Sequence, residues 1–498
     1  MREALEGRFQ GDESHVAIPL EPLRELSSLV FSGVLDLDTL VVAQDAGLRV
    51  ARVGPRGGIE GNLGVAVDLG STTIVLYLMD LTTGEELARR QYENPQRRHG
   101  EDILARILHA AKREGLLELQ KEALDTINKG IEDLVTLVGR KSEDIYFASI
   151  AGNTTMVHFL LALDPSHICK EPYLPVANRF DLLEARELGL NIHPLGSIYI
   201  FPNVGSYFGG DLLAGILASG MHRREEISML IDVGTNAEVV LGNSMWMVAC
   251  AGAAGPALEG GILTCGMRAT QGAIERVRID PERLEITYKT IGDVPPKGLC
   301  GSGIIDLMAE MFVAGLVDPT GKLVPERWPG RVKEIGGEMA FIVATSQETA
   351  TGSPIFITQS DIKNLIRSKG AMYTILNVVI ESVGIGFEDI DKFYVAGAFG
   401  NYIDPGRAIT IGMLPDVPIE RFVGLGNAAG LGAKALLLDR GAMKEIDEIT
   451  KRITYLEMNV RGDFMSKLTG ALFLPHTDRG RFPSVFAKIE SLRSLSSR

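Results

Sequence analysis

No two of the four cysteines, Cys169, Cys250, Cys265 and Cys300, lie closer than 15 residues apart. That scatter excludes a Cys-x-x-Cys pair or an iron–sulfur ligand cluster in this sequence, and a disulfide framework does not suit a chain of this size. Reduced, buried thiols are the expectation. Uninterrupted apolar runs of about 18 residues, the length of a membrane span, are missing as well. The most hydrophobic windows, Gly64 to Leu81 and Leu230 to Ala254, are broken by Asp68, Asp232 and Glu238. The start, Met1-Arg2-Glu3-Ala4-Leu5-Glu6, is acidic and polar, so no secretory leader is expected and the chain reads as cytoplasmic. Positive charge is outweighed: 50 Lys and Arg against 64 Asp and Glu give a net charge of -14, which disfavours nucleic acid and anionic membranes as partners. Neither Gly-x-x-x-x-Gly-Lys-Ser/Thr nor an unbroken Gly-x-Gly-x-x-Gly after a strand occurs, so P-loop and Rossmann dinucleotide sites fit poorly.

Glycine is what the chain has in excess, 56 of 498 residues against an average of about 7%. The remaining balance, 45% hydrophobic and 23% charged, is that of a globular protein. Its length suggests two large lobes with an appendage. Residues 1–60 read as the appendage: an amphipathic helix around Leu23 to Phe31, a short strand pair near Leu48 to Val53, and the loop Gly54-Pro55-Arg56-Gly57-Gly58. A first lobe, 61–226, opens with the buried strand Gly64 to Asp68, turns through Leu69-Gly70-Ser71-Thr72-Thr73, and returns as Ile74 to Met79. Helical patterns follow at 101–113 and 116–138, then the strand Tyr146 to Ile150 running into Ala151-Gly152-Asn153. From Ser228 the same order recurs in a second lobe, 227–498. Met229 to Asp232 leads into Val233-Gly234-Thr235-Asn236 and back along Ala237 to Leu241. Later a helix from Asp361, capped by Ser360, precedes Phe393-Tyr394-Val395 and the turn Ala396-Gly397-Ala398-Phe399-Gly400. A duplicated unit predicts an α/β protein of two similar lobes facing a cleft, with the C-terminal segment free to return to the first.

Each copy places an Asp at the end of its first strand, followed by a glycine and hydroxyl-rich turn. Glycine lets the backbone approach phosphate oxygens, while Ser71, Thr72, Thr73, Thr235, Asn236 and turn N–H groups donate to them. Asp232 is the expected main carboxylate of a magnesium shell, with Asp68 the second, both through water. Three further turns extend the nucleotide-binding set. These are Gly252 and Gly255 in Cys250 to Pro256, before a helix near Ala257; Gly301, Ser302 and Gly303 ahead of Ile304 to Phe312; and Gly397, Ala398 and Phe399, suited to walling off a nucleoside ring. Asn153 is the candidate for orienting the attacking water. Asp68, Asp232 and Asn153 thus form the expected catalytic group.

These residues resemble the acetate and sugar kinase, heat-shock chaperone and actin superfamily, whose lobes are actin-like (ribonuclease H-like) and enclose a nucleotide cleft. The two Asp turns resemble its phosphate motifs, and Val395 to Gly400 its adenosine motif. A closer resemblance, over about 62–475, is to ATP-dependent reductive activators of corrinoid proteins. It rests on Gly64 to Thr73, Asn94-Pro95-Gln96 with Gly100 and Asp102, Gly152 to Met156, Asp232 to Glu238, Ala254 to Glu259, Cys300 to Gly303 and Gly397 to Asn401. The resemblance implies an ATPase, binding ATP/ADP and Mg2+, that drives one-electron reduction of a corrinoid protein of a methyltransferase system from Co(II) to Co(I). The departure is the iron–sulfur domain such activators usually carry. The scattered cysteines supply none, residues 1–60 look like the tail of the family's middle domain, and an external low-potential donor such as a ferredoxin is implied. A homodimer is compatible with the pattern.

Other residues read as structural. Cys250, Cys265 and Cys300 suit small-residue packing, and His99 and His158 have no neighbours at metal-ligand spacing in sequence. Arg97-Arg98-His99 reads as a solvated basic patch. Two alternatives stay open: a small-molecule kinase of the same fold, for which no general-base carboxylate stands out beyond the phosphate turns, and a nucleotide-gated binding module with negligible turnover.

Overall fold

The computed structural model describes residues 5, 15–44, 47–59, 61–234, 236–253, 255, 263–280, 282–397, 403–456 and 464–496. The chain divides into two units, Met1–Gly220 with Ala428–Ile453, and Met221–Asn427 with Thr454–Arg498.

The first unit is built on strand β1 (Leu63–Leu69), an apolar run buried almost throughout because helices cover both faces of its sheet. It pairs antiparallel with β2 (Thr73–Asp80), which pairs antiparallel with the charged edge strand β3 (Glu86–Glu93). On its other side β1 pairs parallel with β4 (Ile145–Gly152), then comes β5 (Ser197–Ile200) and the short edge Leu183–Glu184. Between β3 and β4 lie α1 (Ile103–Ala110), capped by Asp102 through a 2.7 Å bond from the Ala105 N–H, and α2 (Arg113–Val138). Leu119, Ala123, Ile127, Ile131 and Leu134 recur at helical spacing on α2 and bury one stripe against the sheet. Gly130 lets that stripe settle, since a Cβ there would stand 2.8 Å from the Leu76 side chain. Helix α3 (Thr154–Leu160) and α4 (Gly210–Ser219) complete the layer order. The appendage is a three-stranded sheet, Val16–Ala17, Gly47–Pro55 and Leu37–Gln44, with helix Leu20–Phe31. Arg49 pairs with Glu184, and Leu40, Val42 and Ala51 pack on Tyr146.

The second unit repeats this plan. Strand β6 (Ser228–Val233) pairs antiparallel with β7 (Asn236–Gly242), which pairs antiparallel with β8 (Met247–Ala253). Helices α5 (Gly301–Val313) and α6 (Gln359–Val383) follow, and β9 (Lys392–Ala396) lies parallel between β6 and β10 (Phe422–Gly426). The strand orders β3-β2-β1-β4-β5 and β8-β7-β6-β9-β10 are the same order twice. Each sheet has its own core, one running from Leu63 to Ile200, the other from Met229 to Ile489. Two small sheets, Ala273–Asp280 with Glu285–Thr290 and Val332–Ile335 with Glu338–Ala344, are insertions that the repeat pattern did not predict.

The cap of α6 is Thr358, not Ser360. The Thr358 hydroxyl accepts from the Asp361 N–H at 3.1 Å, and the Asp361 carboxylate accepts from the Thr358 N–H at 3.0 Å. Ser360 occupies the second helical position and cannot form that reciprocal pair. The helix expected near Ala257 lies outside the described residues. No described helix is long and apolar enough to cross a membrane.

Candidate functional site

Asp68 and Asp232 occupy equivalent positions, each next to last in the first strand of its sheet. Asp68 is flanked by Val75 on β2 and Ala151 on β4; Asp232 is flanked by Glu238 on β7 and Ala396 on β9. The first turn closes through Gly70 N–H to the Thr73 carbonyl at 3.1 Å, and a Cβ on Gly70 would stand 2.5 Å from that oxygen. Only glycine fits. The second turn is one residue shorter, with Gly234 N–H donating to the Asn236 carbonyl at 2.8 Å. Thr235 lies outside the described residues; Asn236 is exposed at the start of β7.

The first turn is held from behind by two residues that lie outside its own motif. Asn94 donates from its side chain to the Gly70 carbonyl (2.9 Å) and from its backbone to the Thr72 carbonyl (2.9 Å). Arg106, fully buried on α1, donates to the Ser71 carbonyl at 2.7 Å and the Gly100 carbonyl at 2.9 Å. Burial pulls its pKa down, and those carbonyl bonds are what make a buried guanidinium tolerable. With their carbonyls tied to Asn94 and Arg106, residues 70–72 form a braced turn. Asn94 was legible as part of a resemblance, whereas Arg106 sits unremarkably in a helical pattern.

Beside Asp68 the strand β4 ends in Gly152, and beside Asp232 the strand β9 is followed by Gly397; both glycines pack on the turns. Gly152 lies opposite Leu69, where a Cβ would be 3.0 Å from the Leu69 carbonyl. Gly397 has φ +77°, and its Cβ would be 2.7 Å from Asp232 Oδ1 and 2.9 Å from the Val233 carbonyl. Ala398 and Phe399 lie outside the described residues. Asn153 caps α3, its Oδ1 accepting from the Met156 N–H at 2.9 Å. Against its backbone sits Gly209, where a Cβ would be 2.5 Å from Asn153 Cα and 2.8 Å from Asp211 Oδ1.

Asp211 is the residue sequence reasoning missed. It stands in the first turn of α4, accepts from the Leu212 N–H at 2.9 Å, and is the one charged residue of a helix that otherwise reads Gly-Leu-Leu-Ala-Gly-Ile-Leu-Ala-Ser. A helix N-terminus favours the carboxylate, but desolvation outweighs it and pushes the pKa up to about 6. A carboxyl with its pKa raised to about 6 by burial, and placed beside the Asn153 turn, is a candidate general base. Its signal was a lone Asp on an apolar helix.

The other glycine turns divide. Gly252 lies within β8, and a Cβ there would meet Ile375 of α6 at 2.6 Å, so helix packing accounts for it. Gly255 has φ +87° beside Ser368 Oγ. Gly303 packs on the Ile274 carbonyl, 2.0 Å from an added Cβ, while Gly301 and Ser302 are half-buried in the first turn of α5. Cys300 precedes them, with its Sγ 3.2 Å from the Ile274 carbonyl. Burial pushes the Cys265 thiol up, as expected of a packing cysteine. His158 is buried, with Nδ1 2.7 Å from the Thr154 carbonyl and Nε2 accepting from the Val176 N–H at 3.1 Å.

The donor set fits a magnesium nucleotide. Two half-buried carboxylates stand next to last in equivalent strands, each beside a turn drawn in tightly by glycine, and a carboxylate so placed suits the oxygen shell of a hydrated magnesium ion.

Comparison with known proteins gives concordant matches. The model described as the C-terminal domain of RACo, the ASKHA domain, matches residues 226–486, and the model of the RACo middle region matches 63–224, within the first unit. The corrinoid activation enzyme RamQ of Eubacterium limosum is 35% identical over 404 residues, 79% of this chain and 67% of that protein. A [Co(II) methylated amine-specific corrinoid protein] reductase of Methanosarcina barkeri is 28% identical over 284 residues, covering 52% of this chain and 47% of its own length. A solved structure of a reductive activator for a corrinoid, iron-sulfur protein superposes with a TM-score of 0.86 at 39% identity, covering 95% of this chain and 75% of that one.

Proposed function

This chain belongs to the RACo family, and from that premise we propose that it uses ATP to drive reduction of a partner's corrinoid from Co(II) to Co(I). One electron enters the cobalt from an external low-potential donor such as a ferredoxin, and ATP and water leave as ADP and phosphate. The observation that carries the nucleotide half of this reading is the register match of Asp68-Leu69-Gly70 with Asp232-Val233-Gly234 on two copies of one sheet.

In this reading Gly70, Ser71, Thr72 and Thr73, and Gly234, Thr235 and Asn236, donate to phosphate oxygens, with Gly301, Ser302 and Gly303 adding the N-terminus of α5. Gly255 belongs to a turn directed at the phosphates, while Gly397, Ala398 and Phe399 line the nucleoside. Asp232 and Asp68 orient the water shell of a magnesium ion, which when bound neutralises charge building on the transferred phosphoryl group. Asp211 takes the proton of the attacking water, and the Asn153 amide orients that water. Turnover would shift the bound corrinoid protein toward a state that accepts an electron more readily.

Two measurements test it. Calorimetric titration should show ADP or ATP binding in the presence of magnesium, since binding to the native state also raises its melting temperature. The corrinoid's visible spectrum should then report Co(I) formation only when ATP, donor and this chain are all present. A rate that stays the same when this chain is omitted, across the corrinoid proteins tried, overturns the activator reading.

A further inference from the structure

His99, His109 and Glu118 converge in the first unit, with one ligand atom from each lying within 4.8 Å of the others. His99 ends the short turn Pro95–His99, His109 lies in the last turn of α1, and Glu118 and Glu122 stand one turn apart on α2. His109 Nε2 is 3.0 Å from Glu118 Oε2, and His99 Nε2 is 3.0 Å from Glu122 Oε1 and 3.9 Å from Glu118 Oε1. The expectation that His99 stands apart from other ligands is therefore corrected. The tight connection between α1 and α2 folds residues 99, 109, 118 and 122 together, which linear spacing does not reveal. Nor is Arg97-Arg98 a free basic patch, since Arg97 pairs with Glu101 and Arg98 with Glu118 and Glu122.

We propose that this group is a binding site for one divalent transition ion of the zinc class, held by His99 Nε2, His109 Nε2 and carboxylate oxygens of Glu118 and Glu122. Tetrahedral zinc with bonds of about 2.0–2.2 Å needs ligand atoms roughly 3.3 Å apart. The 3.0 and 3.9 Å separations bracket that value. The imidazole rings stack at 4.2 Å, so ligation would require each to turn about its Cβ–Cγ bond to aim its lone pair at the ion. Arg98 Nε donates to His99 Nε2 at 3.0 Å and its guanidinium pairs with Glu118 and Glu122, so the ion would have to displace this 62% exposed side chain into solvent and take its place as the counter-charge of the two carboxylates. A cavity of about 550 Å³ lined by Arg98, Glu118 and Glu122 gives the ion an entry path. Two imidazoles with two carboxylates select against magnesium, which prefers all-oxygen shells, so this site is distinct from the phosphate turns. Its placement has a consequence. His109 shares α1 with Arg106, and His99 ends the turn that Asn94 begins, so the ion clamps together the two residues that brace Gly70 to Thr72.

The test is titration of the metal-free full chain with zinc alone, in excess magnesium, by calorimetry, with Co2+ as a spectroscopic substitute whose visible bands intensify in tetrahedral coordination. One ion per chain is expected, and His99→Gln, His109→Gln and Glu118→Gln should each weaken binding by more than the roughly 10–100-fold that loss of an outer-shell partner costs. Zinc absorption-edge spectroscopy on the unmodified chain supplies a readout that does not depend on any variant folding, and it should report two imidazole ligands. Unchanged affinity in folded His99→Gln and His109→Gln chains, an oxygen-only shell, or no binding by the unmodified chain would each overturn the proposal.

Discussion

Asp232 faces Glu238 directly across β6 and β7, at the position where Asp68 of the first unit faces Val75 across β1 and β2. Residues opposite each other on antiparallel strands project to the same face, and like charges so placed repel. The duplicated turns are therefore chemically unequal. The second concentrates negative charge at the strand end, which suits a cation's water shell, while the first sets one carboxylate against an apolar neighbour.

Glu238→Gln should relieve that repulsion. The nucleotide-free chain is expected to gain about 0.2–1 kcal/mol, the range for cross-strand pairs. Nucleotide binding should at the same time require more magnesium. Thermal melts without nucleotide and magnesium titrations with ADP check the two halves, and a loss of stability in the variant would show that the pair does not repel.

Asp232→Asn removes charge at nearly constant volume and should abolish most ATP turnover while leaving the far-UV spectrum unchanged. Asp68→Asn should lose turnover comparably. Magnesium-dependent hydrolysis at the parent rate in both variants would mean that these turns are structural.

Gly397→Ala tests the close approach at Asp232. A methyl group there would lie 2.7 Å from Asp232 Oδ1, at a φ of +77°. The left-handed conformation alone costs an L-residue roughly 1–2 kcal/mol, and displacement of the carboxylate should weaken nucleotide binding beyond the loss of stability. A melt and a calorimetric titration on the same sample separate the two effects. Retained affinity would place Gly397 among the glycines that serve packing, as Gly252 does against Ile375.

The repeat was legible because each copy writes the same order in sequence: apolar strand, Asp, glycine turn, return strand. Strand ends came within one or two residues, as at Leu63–Leu69 against the expected Gly64 to Asp68. What stayed hidden depends on folding across distance. Arg106 is one polar residue in a helix until the fold carries it to the Ser71 carbonyl 35 positions away. His99 and Glu122 are 23 residues apart and meet only because α1 turns back into α2. Gly252 shows the opposite ambiguity, since a glycine that lets a helix settle on a strand, as here against Ile375, looks in sequence like one that admits a phosphate.

Asp211 carries the pH dependence. Its folded pKa of about 6 lies above the ordinary 3.8, and the first cause is burial, only partly offset by the Leu212 N–H. The folded state therefore holds a proton that the unfolded state has released between about pH 4 and pH 6, so this residue's contribution to stability falls as pH rises through that window. Above pH 6 the cost is complete, up to about 3 kcal/mol at roughly 1.36 kcal/mol per pKa unit and less because the side chain is only half-buried. Asp211→Asn should thus be more stable than the parent at pH 7, with the difference vanishing near pH 4. Its turnover should fall by about 10²–10⁴-fold, the usual contribution of a general base, and kcat/KM of the parent should rise as pH passes through about 6, a step absent from the variant. Melts at pH 4 and pH 7 with a pH–rate profile decide the matter. A variant that is stabilised yet keeps full turnover would leave Asp211 as a strained helix residue and return the base to another group beside Asn153.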